Sequence, residues 1–503
     1  MHRSKRLLIL VGVLAVVCAA AFLATRVQEQ QEQVEASGET VLAIDAGNVA
    51  SLAWTSGEAE YAFHKDGTWI YDADEAFPVN AEALEELLAP FSSFNAAFVI
   101  RDVTDYAQYG LEEPECTIEI GTAEASYTIA LGDMSAMDDQ RYVSIGDGNV
   151  YLAVTDPMDA FAVELSDLID NDEIPQMDTV TALSLTGAVE ESIAYVEAGG
   201  PSYSDEDVYF LQSGEESLPL DTDLVEDYLG GIRGLVLTDY ATYNATEIEL
   251  ASFGLNDPAL TVTVEYEQQA EAAEEGAEPE TTAGTLALHI GRVEAAEESA
   301  EETAESAEDI SQEEAQYAYY LRVGDSQIVY NLSDADGEAL FAASYDDLRH
   351  RQLFWGDFDD VTQATILLDN QTYTLTAQTA ETAETGEDAD AAAESAEPTA
   401  AAAAEDDAEI TWTCNGEPVD VTDIRDKLAA LTAEAFTEEA PADQLEISLT
   451  LDLNDEDVPQ VRIQLYRYDG ASCLAVLDGE PAALVAREDV VDLMEAVRTL
   501  LLG

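Results

Sequence analysis

Positive charge is nearly missing from this chain. Lys and Arg together number 18 against 107 Asp and Glu, giving a formal net charge of -89 over 503 residues. Proteins hold nucleic acid by neutralising phosphates with clustered cations, so this composition excludes that class of partner. An anionic lipid surface would repel the body of the chain for the same reason. Cysteine is scarce too. Cys18 lies in an apolar N-terminal run, and Cys116, Cys414 and Cys473 are too few to staple a disulfide scaffold. A Cys414–Cys473 bridge stays open, because both fall in the last third of the sequence. The four histidines, His2, His64, His289 and His350, show neither HExxH nor HxH spacing. No GxSxG elbow, Walker A loop or GxGxxG fingerprint occurs, so the commonest nucleophile and phosphate-binding signatures are lacking.

What the sequence does contain is organised. Hydrophobic residues make up 47%, enough for ordinary packed cores, and the length suits about three domains of ~150 residues each. Leu7 to Ala24 is uncharged and apolar, preceded by Arg3, Lys5 and Arg6 and followed by Glu29, Glu32 and Glu35. As a helix it would be about 27 Å long, close to a hydrocarbon core. The charge asymmetry places the N-terminus in the cytoplasm and the bulk of the chain outside it, as a single-pass protein of the cell membrane. A cleaved signal peptide is the competing reading, with Ala19-Ala20-Ala21 as a small-residue site.

One signature occurs three times: a Pro, an apolar residue and a short polar residue, followed by an amphipathic helix. The copies are Pro78-Val79-Asn80, Pro219-Leu220-Asp221 and Pro418-Val419-Asp420. Asn and Asp suit an N-cap because the side-chain oxygen accepts an orphan backbone N–H. Downstream, Leu84, Val225 and Ile424 coincide, as do Leu88, Leu229 and Leu428, and Phe91, Ile232 and Leu431. Spacings of four and three put each set on one helix face. After the helix, Tyr109-Gly110-Leu111-Glu112-Glu113-Pro114 matches Phe253-Gly254-Leu255-Asn256-Asp257-Pro258, and alternating strands follow. The third copy lacks that element but keeps the strand as Leu445-Ile447-Leu449-Leu451. Tyr142 to Asp147 matches Tyr320 to Asp325, and Cys473 to Asp478 keeps the rhythm.

Each copy therefore reads as three strands, a helix, four strands and a second helix. The fold class is α+β: three tandem repeats, each a mainly antiparallel sheet with two helices. The expected layout is a cytoplasmic N-terminus and anchor over 1–26, a polar stalk over 27–45, and repeats over 46–178, 179–355 and 356–503. Runs rich in Ala and Glu interrupt the pattern at 268–282, 294–316 and 377–408. They lack an apolar stripe and carry like charges, so disorder is expected there.

Few residues stand out as chemical. Asp170-Asn171-Asp172-Glu173 and Asn454-Asp455-Glu456-Asp457 lack the spaced oxygens, Gly turn and distal Glu of an EF-hand, leaving weak divalent cation binding as the most they offer. With so many carboxylates, no pair can be singled out for glycoside hydrolysis. Cys116 sits in the apolar phase of a strand, as a small hydrophobe does. Trp69 and Trp412 hold corresponding strand positions, for packing or for stacking on a sugar. No catalytic, metal or cofactor-binding residue is assigned, and no cofactor is implied.

The anchor, the Pro-Val-Asn helix entry, the Tyr-Gly-Leu-Glu-Glu-Pro element and the Tyr142 to Asp147 strand together resemble the bacterial domain-of-unknown-function family 4340. The resemblance covers residues 45–355 well and 356–503 weakly. It implies an envelope protein, often encoded beside ABC transporter permeases, and carries no catalytic residues. The expected function is a non-enzymatic extracytoplasmic envelope module, an accessory or scaffold of a membrane assembly such as an ABC transporter. The alternative is an extracellular polymer-active hydrolase or carbohydrate-binding protein. Plausible partners are cations, basic proteins or neutral polymers.

The repeat reading makes Leu88, Leu229 and Leu428 equivalent core residues. Replacing Leu229 with Asp should bury an unpaired charge and cost several kcal/mol, whereas Glu226→Gln, off the apolar stripe, should be mild. Hydrogen exchange on the two variants checks this. Unchanged protection of the second repeat in Leu229→Asp would break the alignment.

Overall fold

The computed structural model describes residues 39–502 apart from 58, 137–139, 215, 270–280, 295–316, 380–409, 443 and 456. It contains three nine-stranded antiparallel sheets. The first holds β1 (Glu39–Leu42), β2 (Val49–Ser56), β3 (Ala59–Asp66), β4 (Thr68–Tyr71), β5 (Phe94–Ile100), β6 (Cys116–Thr122), β7 (Ser126–Met134), β8 (Arg141–Ser144) and β9 (Val150–Ala153). The second holds β10 (Thr179–Gly187), β11 (Glu191–Tyr195), β12 (Tyr209–Ser213), β13 (Glu216–Pro219), β14 (Tyr240–Thr242), β15 (Leu260–Gln269), β16 (Thr281–Glu294), β17 (Tyr317–Val323) and β18 (Val329–Leu332). The third holds β19 (Val361–Leu368), β20 (Gln371–Thr379), β21 (Ile410–Cys414), β22 (Glu417–Val419), β23 (Ala433–Phe436), β24 (Leu445–Leu453), β25 (Gln460–Arg467), β26 (Ser472–Leu477) and β27 (Glu480–Ala486).

Leaving out β1, β13 and β22, the three strand orders superimpose: β4-β3-β2-β6-β7-β8-β9-β5, β12-β11-β10-β15-β16-β17-β18-β14 and β21-β20-β19-β24-β25-β26-β27-β23. A bulge falls at the same place in the first shared strand of each copy, passing over Ala50, Thr181 and Thr362. Bulges re-aim a strand and add twist, so a bulge in all three copies is strong structural support for the repeat. Of the eight shared strands the sequence pattern missed one per copy: β5, β14 and β23 come directly after the helix and end the shared order; β1, β13 and β22 were missed besides. Glu39–Leu42, within the span read as a stalk, is β1 and pairs with β5, and nearby Ile44 is buried.

The helix after the Pro step is present in every copy, as Ala81–Glu86 with Ala89–Ser92, as Thr222–Arg233 and as Thr422–Ala429. Pro90 sits in the first turn of the second piece in copy one, where its missing N–H costs no intrahelical bond. Asn80 caps by accepting from the Ala83 N–H at 3.0 Å, and Asp221 from Asp223 and Leu224. In copy three the cap position shifts to Val421, and Asp420 instead accepts from the Thr422 N–H at 3.0 Å. All nine apolar positions of the three aligned sets are buried. Burying each such side chain contributes about 1.5–3 kcal/mol.

The expected two helices per repeat do not hold as a rule. The second helix is one turn, Met158–Phe161, in copy one; two short pieces, Asp334–Phe341 and Tyr345–Leu348, in copy two; and a long Arg487–Leu502 in copy three. Copy two also has Glu247–Ser252. The chain divides into two compact units. One takes the described residues up to Glu173 with Leu237–Thr246 and Ser326–Tyr330; the other takes Ile174–Val236, Glu247–Asp325 and Asn331 onward. In the first, Leu84, Leu88 and Phe91 lie in one core with Trp54, Ile118, Ile129 and Leu131. In the second, Ile424, Leu428, Val490 and Leu493 share a core with Ile366, Leu449 and Ile463.

The expectation of a single-pass membrane protein is corrected here. Among the described residues no helix is long and apolar enough to cross a membrane. Leu7 to Ala24, on which that expectation rested, lies outside the described residues, as do most of the three acidic interruptions. The described edges of those interruptions are strand: β15 runs to Gln269, β16 starts at Thr281 and β20 runs to Thr379.

The Gly-Leu-x-x-Pro element has a packing reason. Its turn lies against the next strand but one, at a glycine in each copy that has it. A Cβ on Gly132 would fall 2.2 Å from the Tyr109 carbonyl oxygen, and one on Gly291 would fall 1.9 Å from that of Phe253. The aromatic that opens the element then meets a tyrosine on the neighbouring strand: Tyr109 lies 4.9 Å from Tyr142, and Phe253 4.6 Å from Tyr320. Copy three lacks both parts, with Tyr466 where the glycine would be. Gly291→Ala should therefore cost about 1–3 kcal/mol through overpacking against backbone. Gly230→Ala, in a helix with nothing near its Cβ position, should gain about 0.5–1 kcal/mol. Urea denaturation of both variants checks the contrast.

Candidate functional site

The histidines fall in three unrelated settings. His64 Nδ1 meets Asp72 at 2.5 Å, with both side chains half exposed. His289, on β16, is 3.2 Å from the Thr261 hydroxyl of β15. His350 is the one that organises its surroundings. It follows Tyr345–Leu348, and each ring nitrogen faces a carboxylate: Nε2 is 2.8 Å from Asp207 Oδ1, and Nδ1 is 3.5 Å from Asp221 Oδ2. Asp221 is also the N-cap of Thr222–Arg233.

Asp207 is the buried centre of this brace. Its side chain is 2% exposed. Its second oxygen accepts from the Ser202 hydroxyl at 2.5 Å and from Trp355 Nε1 at 2.9 Å. The His350 ring stacks on Trp355 with centroids 4.4 Å apart, and Tyr203 covers Trp355 at 4.0 Å. Burial, with Asp478 and Asp207 adding repulsion, pushes the Tyr203 phenol well above its ordinary range. The loop between β11 and β12 thus clamps the segment that leads into the third sheet. Although Ser, Asp and His are together, the carboxylate stands between the other two. The imidazole is not placed to take a proton from the hydroxyl, which is the relation that activates a serine.

Beyond Trp355 the same segment opens onto a cleft of two lobes. One, of about 500 Å3, is lined by Phe358, Asp359, β21, β22 and the start of Thr422–Ala429. The other, of about 280 Å3, is lined by Phe354, Trp355, Asp357, Asp426 and Leu428. Phe358 and Arg425 belong to both. Trp412 packs against Phe358 at 5.4 Å and is 7% exposed. The Arg425 guanidinium stands 4.0 Å from Asp359 and 3.9 Å from Asp426, beyond hydrogen-bond reach of either. Partial burial, and then the neighbouring Asp357, Asp205, Asp359 and Asp455, raise the Asp360 carboxyl above its usual range. A further hollow of about 560 Å3 lies along Ile174–Asp178, where Arg233 is already paired with Glu226 at 2.9 Å.

Other sequence candidates turn out to be structural. Cys414 and Cys473 are free and buried, so the open question of a bridge closes against it. Burial pushes the Cys116 and Cys473 thiols up to about 11, which keeps them unreactive near neutral pH. Trp69 is 5% exposed, and neither it nor Trp412 presents a free sugar platform. Asp172 meets the Tyr330 hydroxyl, while Asp455 accepts the N–H groups of Asp457 and Val458 in a turn. Among the described residues no group of three or more His, Cys, Asp or Glu is placed to hold a metal ion.

Removing the ring of His350 should be costly, because it strips a partner from the buried Asp207 carboxylate. His350→Leu is expected to lose about 3–5 kcal/mol. Adding Asp207→Asn should recover part of that loss. Guanidinium denaturation of the single and double variants checks the coupling.

A family model described as a domain of unknown function, DUF4340, matches residues 69–247 and 212–449. Both matches begin on corresponding strands, at Trp69 in β4 and Gln212 in β12. Each therefore runs from the middle of one copy into the next. No curated protein and no solved structure matches the chain. Because the two matches together run from 69 to 449, most of the chain, and carry the repeated strand order and the Gly-Leu-x-x-Pro turn, the chain belongs to the DUF4340 family.

Proposed function

We propose that the protein is a non-enzymatic binding module, an accessory or scaffold of a larger assembly, that holds partners of opposite charge. The observation that carries this reading is the threefold use of one sheet framework, with its bulge and covering helix, in a chain of net charge -89. Repeated frameworks multiply attachment surfaces, and linked surfaces bind with more avidity than any one alone. A strong single-sign field draws in cationic partners and speeds their encounter. The conspicuous polar cluster fits this reading too, since His350 is spent between Asp207 and Asp221. An ABC transporter permease, which the family resemblance implied, is one partner of this kind.

The test is purification of the full chain from its native cells at low ionic strength, followed by a salt wash. The expected result is a stoichiometric protein partner with a basic contact surface, released as ionic strength rises toward 1 M because screening shortens the reach of the field. A chain that purifies alone and hydrolyses a polysaccharide, with loss of turnover on replacing one carboxylate pair, would overturn the reading.

A further inference from the structure

The two-lobed cleft beside Phe358 and Arg425 combines aromatic walls with uncompensated negative charge. Asp357, Asp359, Asp420 and Asp426 line its lobes, and Arg425 is the only cation among the described residues that line them. The larger lobe lies between Phe358 and the short edge strand β22, where Val419 pairs with Trp412 of β21. Asp420 is fixed by accepting from both the N–H and the hydroxyl of Thr422, so its position does not depend on a ligand. Trp412 is buried and packs its ring against Phe358. The cleft therefore offers two things at once: carboxylates for a cation, and rings for the apolar stem behind it.

We propose that this cleft takes an extended basic segment of a partner protein, with a Lys or Arg side chain held between Asp359 and Asp420 against Phe358. The proposal rests on the reading of the chain as a binding module and names the chemistry of one of its surfaces. Aromatic faces attract ammonium and guanidinium groups, and more strongly once water is excluded. Long basic side chains also bury an apolar stem while their charge stays at the rim. The open edge of β22 lies where an extended segment can run alongside it and pair its main chain. Arg425, between the lobes, would repel a second basic residue and so set the spacing of charges along the segment.

The probe is a decapeptide of alternating Lys and Val, compared with Glu/Val and Gln/Val twins, by calorimetry and amide shift mapping on the full chain. The expected result is binding of the Lys/Val peptide alone, with shifts at Thr411–Cys414 and Glu417–Thr422. Asp359→Asn with Asp420→Asn should weaken it at least tenfold, since Asn at 420 can still accept from Thr422. Glu265→Gln with Glu267→Gln, an equal charge change on exposed positions of β15, should weaken it no more than twofold. Arg425→Gln should bind as tightly or more tightly. Thermal midpoints within a degree or two of the parent would show that the variants are folded. Equal loss in the two double variants, or equal binding of the Gln/Val peptide, would overturn the cleft assignment. In the first of those outcomes attraction of basic partners by the whole field would stand, whereas no binding of the Lys/Val peptide to the parent chain would count against both.

Discussion

Covering one face of a broad antiparallel sheet is the constraint on which the architecture depends. In every copy the first helix joins the two ends of the shared eight-strand order, from β4 to β5, from β12 by way of β13 to β14, and from β21 by way of β22 to β23. The chain must therefore travel the full width of eight strands between them, about 34 Å at the usual strand spacing. A twelve-residue helix such as Thr222–Arg233 supplies about 18 Å of that path, and the flanking residues supply the rest. Since the crossing passes over the apolar face, its inward positions must be apolar. That is why Leu84, Leu88 and Phe91 are met by Val225, Leu229 and Ile232 and by Ile424, Leu428 and Leu431. The Pro step fixes where the crossing starts, and the N-cap turns the chain into it.

The opposite face follows a different logic. Copies one and two cover part of it with the turn at Gly110 or Gly254, which comes so close to the sheet that only Gly132 or Gly291 fits beneath. The turn and its glycine form one device, so losing either removes the reason for the other, and copy three has neither. In the first unit the device is reinforced by Arg141, whose side chain is 8% exposed. It donates to Asp156, Glu115 and the Gly132 carbonyl. Every one of those partners is an acceptor for a buried cation, which makes Arg141 a satisfied brace rather than a stranded charge.

Much of this was legible in the sequence because it occurs three times. Leu88, Leu229 and Leu428 mean little singly, but chance seldom places the same residue at the same offset from a Pro in three stretches of one chain. The strands that escaped notice, β5, β14 and β23, are short and have no shared motif. Their burial depends on which neighbours the far edge provides, and local pattern does not report that. The brace at His350 was hidden for a related reason: Asp207 lies 143 residues away and Ser202 lies 153 residues from Trp355. In copy one the matching connection between β3 and β4 is a single residue, so comparing that copy with copy two could not find it. The cleft draws on three separate stretches, and the one motif that lines it, Pro418-Val419-Asp420, marks a helix entry in every copy and so does not point to a site. The acidic composition, by contrast, was plain from the start and is what gives the cleft its sign.

The ladder between β15 and β16 stays in register through ten residue pairs and ends at Gln269 opposite Thr281. The two ends of the acidic stretch between them are thus held a single strand spacing apart by a closed hydrogen-bonded frame. A frame of that kind senses only where a connection begins and ends, because closure entropy grows slowly with length. Evolution can lengthen, shorten or recharge such a hairpin tip without renegotiating the sheet. The connection between Gln269 and Thr281 is thus a natural port through which a foreign domain with neighbouring termini could be carried while the scaffold stays fixed.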